Sequence, residues 1–195
     1  IFGVDVAVNA GNTIYFLPLR ILNKRKYKNE KQRLRMIQIY GEEMINVHFG
    51  QALDIFWHNA PTVIETEQYI EMCRLKTGGL VRMATRMACV LADKDEKFEK
   101  SFTKFAELAG VAFQIKDDAL EFEGNQKLFG KSFGNDITEG KMSLPVIFAL
   151  QRITEKDKKQ LFRILSKHTR NRFLIKKAMA IIKRSGAVEE SIKYA

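Results

Sequence analysis

Residues 113–123 read Phe-Gln-Ile-Lys-Asp-Asp-Ala-Leu-Glu-Phe-Glu, and they set the tightest limit on how this chain can fold. Three carboxylates, Asp117, Asp118 and Glu121, fall within about one helical turn of a stretch that is otherwise largely apolar. At roughly 3.6 residues per turn, Asp117 and Glu121 project from one face, with Asp118 beside them and Gln114 a turn earlier. Like charges at these spacings cost an isolated helix only about 0.2–0.5 kcal/mol per pair. Acidic clusters on solvated faces are therefore common, and that reading stays open. The apolar flanks allow a second one, in which the repulsion is relieved by a hard divalent cation such as Mg²⁺. Such a cation prefers oxygen ligands and usually also binds substrate phosphates.

Two further segments bear on the choice. Residues 76–80 are Lys-Thr-Gly-Gly-Leu, inside a helical pattern predicted to run from about Glu67 to Ala92. Two glycines in a helix interior cost about 1 kcal/mol each relative to alanine, so they mark either a break beside an exposed lysine or a close approach. Residues 130–145 form a glycine-punctuated loop carrying Lys131 and Lys141, with Asp136 and Glu139 between them. Glycine-rich backbone can wrap an anion that lysines neutralise, and diphosphate bridged through a metal fits such a loop. The Walker spacing of a nucleotide-binding loop is absent.

The rest of the chain reads as helix nearly throughout. Apolar residues recur at helical spacing in Met36, Ile37, Tyr40, Met44 and Val47 and again around Leu53 to Phe56. Further helices are predicted over 97–123, 141–152, 155–166 and 171–184, with Pro61, Gly124, Gly130, Gly134 and Gly186 marking connections. No strand alternation is sustained. An all-α antiparallel bundle enclosing a central cavity is the expected fold, since it places inward-facing polar groups of several helices around one space. With 195 residues and no convincing linker, a single domain over 1–195 is the default.

The formal charge of +10 suits anionic substrates or membrane surfaces. The densest basic run, Lys24 to Arg35, reads as an inter-helical loop and helix start, and no nucleic-acid motif accompanies it, so nucleic acid is not an expected partner. Cys73 and Cys89 form no metal-type cluster and read as reduced, buried thiols of a cytoplasmic protein. His48, His58 and His168 lack zinc-like spacing. No run of about 18 apolar residues predicts a transmembrane helix.

Taken in order, GQALD at 50–54, KTGGL at 76–80, FQIKDDALE at 113–121 and the GK…GNDITEGK…LP loop resemble the trans-prenyltransferases of the isoprenoid diphosphate synthase family. The likeness leans toward short-chain geranylgeranyl and farnesyl diphosphate synthases. It spans almost the whole chain, including SKHTRNRFLIKKAMAIIKRSGAVEES near the C-terminal end. The resemblance implies Mg²⁺-dependent joining of an allylic diphosphate to isopentenyl diphosphate. By this likeness Asp117 is the main metal ligand, and Asp118 holds metal-bound water or a further coordination position. Glu121 stands where the family usually has aspartate, which leaves it a direct or a water-mediated role. Lys76, Lys131 and Lys141 correspond to lysines around the allylic diphosphate. Thr77 and Gln114 correspond to polar groups near the ionising carbon, and Phe113 to a residue beside the prenyl chain. Gln51 and Asp54 resemble the pair on the helix facing the metal. A homodimer is implied as well.

The family's first acidic motif, DDxxD, does not occur in these residues. The resemblance places it just upstream of IFGVDVAVNAGN, so an N-terminal part and a shorter C-terminal part are expected outside the residues given. If the full protein lacked that motif, the alternative function would be a non-catalytic partner subunit that modifies an active homologue. A class-I terpene cyclase is more distant, because its second metal motif differs from the DDxxE arrangement here.

Overall fold

Helix α1 (Val4–Lys24), α2 (Glu30–Asn59), α3 (Thr66–Lys76), α4 (Gly78–Leu91) and α5 (Glu96–Glu123) come first in the chain. Among the described residues five more helices follow: α6 (Asn135–Glu139), α7 (Leu144–Arg152), α8 (Glu155–Leu165), α9 (Arg172–Arg184) and α10 (Ala187–Tyr194). The computed structural model describes residues 2–59, 62–123 and 134–195, and among them every regular element is a helix. Lys131, Pro61, Gly124 and Gly130 lie outside the described residues.

Pairwise contacts fix how the long helices run. Along α2 and the α3–α4 pair, Glu43 meets Arg82 and Arg86, Val47 lies against Gly79, Gly50 against Lys76, and Asp54 pairs with Lys76. Rising numbers on one side meet falling numbers on the other, so α2 is antiparallel to α3–α4. The same ladder joins α4 to α5 through Thr77–Gln114, Gly78–Gly110, Arg82–Glu107 and Arg86–Glu99. The antiparallel bundle predicted from the sequence is therefore present.

The helix predicted over 67–92 is divided at Thr77, and the two glycines that follow explain why. A Cβ on Gly79 would lie 3.0 Å from Val47 Cγ2, and one on Gly110 only 3.2 Å from Gly78 Cα. Glycine here lets three helices close on one another, which offsets its low helix propensity. The break expected at residues 76–80 is present, but its lysine is not exposed: Lys76 is half-buried and salt-bridged to Asp54. A second difference lies in the predicted loop, which contains the short helix α6. Gly134 and Gly140 bracket it at φ +70° and +68°, a left-handed conformation that glycine adopts without strain.

Two apolar clusters hold the bundle. The larger gathers Tyr69, Ile115, Phe122, Ile137, Leu161, Ile175 and Ile182 around α7, whose residues Leu144 to Leu150 are all buried. A helix buried on every side needs this unbroken apolar composition. The smaller cluster, Leu22, Met36 and Tyr40 with Met83 and Met87 against it, ties α1 and α2 to α4. Burial of this kind contributes about 1.5–3 kcal/mol for each large side chain. By contrast, α1 leaves Val4, Val8, Ile14, Phe16, Leu17 and Ile21 exposed.

Candidate active site

Helix α5 supplies the backbone of the site, and its regular spacing sets Gln114 one turn before Asp118. The Gln114 amide nitrogen donates to Asp118 Oδ1 at 2.8 Å. From α3, the Tyr69 hydroxyl donates to Asp118 Oδ2 at 2.7 Å. A capping box, with Glu65 and Gln68 bonding reciprocally, starts α3 and fixes the register that puts Tyr69 there. At the other end of α3 the Thr77 hydroxyl donates to Gln114 Oε1 at 2.6 Å. One hydrogen-bonded chain thus links Tyr69, Asp118, Gln114 and Thr77.

Lys76 precedes Thr77 and donates through Nζ to Asp54 Oδ2 of α2 at 2.6 Å. Gly50 makes that pair possible: a Cβ there would stand 2.4 Å from the Lys76 backbone nitrogen. Gln51 is half-buried one turn before Asp54. The buried Cys73 thiol sits between the two sets of partners. Burial pushes it up to about 12; the Tyr69 hydrogen bond and Lys76 pull against this, while the charges of Asp118 and Asp54 add to it. Lys76 and Asp118 therefore belong to one neighbourhood.

A third set comes from α6 and the residue that follows it. Lys141 donates to Asp136 at 3.0 Å and pairs with Glu139 at 3.2 Å. The backbone nitrogen of Asn135 donates to Glu121 Oε1 at 2.7 Å, which draws α6 onto the end of α5. Burial lowers the Lys141 ammonium's proton affinity, but Asp136 and Glu139 outweigh that and hold it above its usual range. For Asp118 burial and the charge of Asp136 act together and raise the carboxyl to about 7, against the pull of Tyr69, Gln114 and Lys141.

The residues singled out in the sequence are thus distributed as follows. Lys76, Thr77, Gln114, Asp118, Asp54 and Lys141 converge from four regions of the chain. Asp117 and Glu121 are half-buried on α5 beside them, and Phe113 is exposed on the same helix. Among the described residues no three acidic, histidine or cysteine side chains converge tightly enough to enclose a metal on their own. The donors present are hard carboxylate oxygens, and burial, with the charge of Asp136 added, raises Asp118. They fit Mg²⁺, which takes one or two carboxylates and completes its shell with water and substrate phosphate. The sequence reading missed Tyr69 and named Asp136 only as a carboxylate of the loop. Tyr69 lies seven residues before Lys76, two turns along one helix face, and that spacing was the available signal.

The chain matches the model of one protein family, described as "Polyprenyl synthetase", over residues 1–182. It is 31% identical over 189 residues to a geranylgeranyl pyrophosphate synthase of Mucor circinelloides f. lusitanicus, covering 97% of this chain and 58% of that protein. It is 34% identical over 186 residues to a short chain isoprenyl diphosphate synthase of Methanocaldococcus jannaschii, covering 95% and 55%. The chain therefore spans little more than half the length of these relatives. Its fold superposes on the crystal structure of geranylgeranyl pyrophosphate synthetase from Pyrococcus horikoshii with a TM-score of 0.86 at 24% identity, covering 97% of this chain and 57% of that one. The helical bundle and the family match agree, and the chain belongs to the polyprenyl synthetase family.

Proposed function

We propose that the protein carrying this chain is a Mg²⁺-dependent short-chain prenyltransferase. It would join an allylic diphosphate to isopentenyl diphosphate and release geranylgeranyl or farnesyl diphosphate. The observation that carries this reading is the convergence of Asp54, Lys76, Thr77, Gln114 and Asp118 from α2, the end of α3 and α5 onto one polar neighbourhood. The names of the relatives from Mucor circinelloides and Methanocaldococcus jannaschii supply the substrate class.

In this reading the allylic carbon–oxygen bond breaks heterolytically, leaving negative charge on the departing diphosphate and positive charge on the allyl group. Lys76, Lys141 and Lys131 neutralise the leaving group, a preorganised electrostatic contribution that costs no reorganisation during the reaction. Asp117 and Glu121 would hold the metal, with Asp118 behind them. Bound Mg²⁺ supplies Lewis-acid stabilisation of diphosphate charge. The oxygen dipoles of Thr77 and Gln114 stabilise the allyl cation, and Phe113 and its apolar neighbours exclude water that would otherwise capture it. The alkene of isopentenyl diphosphate forms the new carbon–carbon bond, and loss of one proton to the released diphosphate restores neutrality.

Two finer points belong to the same proposal. The exposed apolar side chains of α1 support a homodimer, because patches of this kind mark association surfaces. The free, buried Cys73 and Cys89 thiols suit a reducing cytoplasm. Among the described residues, no helix is long and apolar enough to cross a membrane. The test is to incubate the full-length protein with labelled isopentenyl diphosphate, Mg²⁺ and a panel of allylic primers. Chain-elongated prenyl diphosphate is expected, and its absence with every primer rejects the proposal.

A further inference from the structure

Asp118 stands in the acidic motif, yet both of its oxygens are occupied by donors from the bundle. The Tyr69 hydroxyl and the Gln114 amide reach it at 2.7 and 2.8 Å, and both Asp118 and Tyr69 are buried. Tyr69 and Gln114 both donate to Asp118, one to each oxygen, so Gln114 turns its NH₂ end toward it. The amide is rigid and planar, so its oxygen is thereby directed to Thr77. A carbonyl oxygen also only accepts, and the Thr77 hydroxyl proton is consequently committed to Gln114 at 2.6 Å. What Thr77 has left to offer a ligand is its oxygen lone pairs.

We propose that Asp118, anchored by Tyr69, is a positioning residue that sets the direction of this hydrogen-bond chain, so that Thr77 presents lone pairs rather than a proton to the reacting carbon. The assignment rests on the prenyl-transfer reading for what Thr77 faces. It gives Asp118 a task other than metal ligation. Tyr69 becomes part of the same device although it lies two turns from Thr77 and is closed off from solvent. With the carboxylate replaced by an amide, Asp118→Asn leaves Gln114 able to sit either way round, and half of the resulting arrangements point a proton outward from Thr77. Tyr69→Phe removes one anchoring donor without changing the shape of the core.

The test uses the full-length protein and compares Tyr69→Phe, Asp118→Asn and Asp117→Asn. Two quantities are read for each: steady-state constants for prenyl transfer, and Mn²⁺ affinity in the presence of inorganic diphosphate by electron paramagnetic resonance. Loss of a hydrogen bond to a charged group predicts that kcat falls about tenfold to a hundredfold in Tyr69→Phe and Asp118→Asn, with KM for both diphosphates little changed. Mn²⁺ affinity is expected to stay close to wild type in both variants and to drop at least tenfold in Asp117→Asn. The proposal is overturned if Asp118→Asn weakens Mn²⁺ as strongly as Asp117→Asn does, or if Tyr69→Phe leaves kcat untouched. Should Asp118→Asn fail to fold, Tyr69→Phe decides alone. If the wild-type protein elongates no primer, the prenyl-transfer reading has failed, and the Mn²⁺ measurements still settle whether Asp118 is a ligand.

Discussion

Helix α5 takes part in two polar layers a few turns apart, built from similar residues to opposite effect. In the first, Arg82 bridges Glu43 and Glu107, Arg86 joins Glu43, Glu42 and Glu99, and Arg74 closes on Glu107. Acid and base there are close to matched. Burial pushes the Glu43 and Glu107 carboxyls up, but the hydrogen bonds and charges of their basic partners win and hold both below the usual range. In the second layer Asp118 and Asp136 are both buried, with Asp117 and Glu121 nearby, and Asp118 is held above its usual range. A layer that neutralises itself has structure as its product. The second layer, where burial and the charge of Asp136 raise Asp118, is where the proposed diphosphate–metal complex would bind.

The sharpest way to separate the layers is a pair of substitutions, one in each. Asp117→Ala should lower prenyl transfer by about a hundredfold to a thousandfold while barely moving the unfolding midpoint, the pattern expected when transition-state electrostatics are removed. Arg82→Met should do the reverse. It removes one guanidinium partner from each of the buried Glu43 and Glu107, which keep Arg86 and Arg74, and chemical denaturation should show a loss of about 1.5–3 kcal/mol. Equal effects of both variants on activity and stability would erase the distinction.

Gly50→Ala tests how the second layer is assembled. Its Cβ has no room beside the Lys76 backbone, so a loss of about 1–3 kcal/mol is expected together with a raised KM for the allylic diphosphate. An unchanged KM would detach the Lys76–Asp54 pair from substrate binding.

Acidity gives a smaller but signed test. Glu43 and Glu107 have folded values below their unfolded ones, so their stabilisation is present above about pH 4.5 and disappears as pH falls through the folded values. Asp118 is raised, from 3.8 to about 7, so in metal-free protein its effect has the other sign. Stability should decline as pH rises between those two values, and Asp118→Asn should flatten that decline in denaturation midpoints. The least effect is expected at Cys73. Its buried thiol, raised to about 12, should react with iodoacetamide only at the rate of native-state opening.

Local spacing carried most of what the sequence disclosed. Asp117 and Glu121 four residues apart, the Lys76–Thr77 step and Gln114 before the acidic pair are all legible without knowing where any other helix lies. Helix α7 falls inside the helix predicted over 141–152. Tyr69 was not found, and Asp136 was named only as a loop carboxylate, because their roles depend on which residue of a distant helix stands opposite. The Glu43–Arg82–Glu107 layer was hidden for the same reason: charges scattered among three helices look like solvated faces until the antiparallel register is known. The glycines were read as flexibility as well as proximity, and only the distances to Lys76, Val47 and Gly78 decide for proximity.

The contact between Gly50 and the main chain of Lys76 has a mechanical consequence. If α2 slid by one position in either direction, Phe49 or Gln51 would have to occupy a gap that admits no carbon beyond Cα. That spot is a pawl: it forbids axial travel between the two rods and leaves only rotation of side chains. A tilt about the pinned point is the relative motion of the two rods that this spacing leaves open.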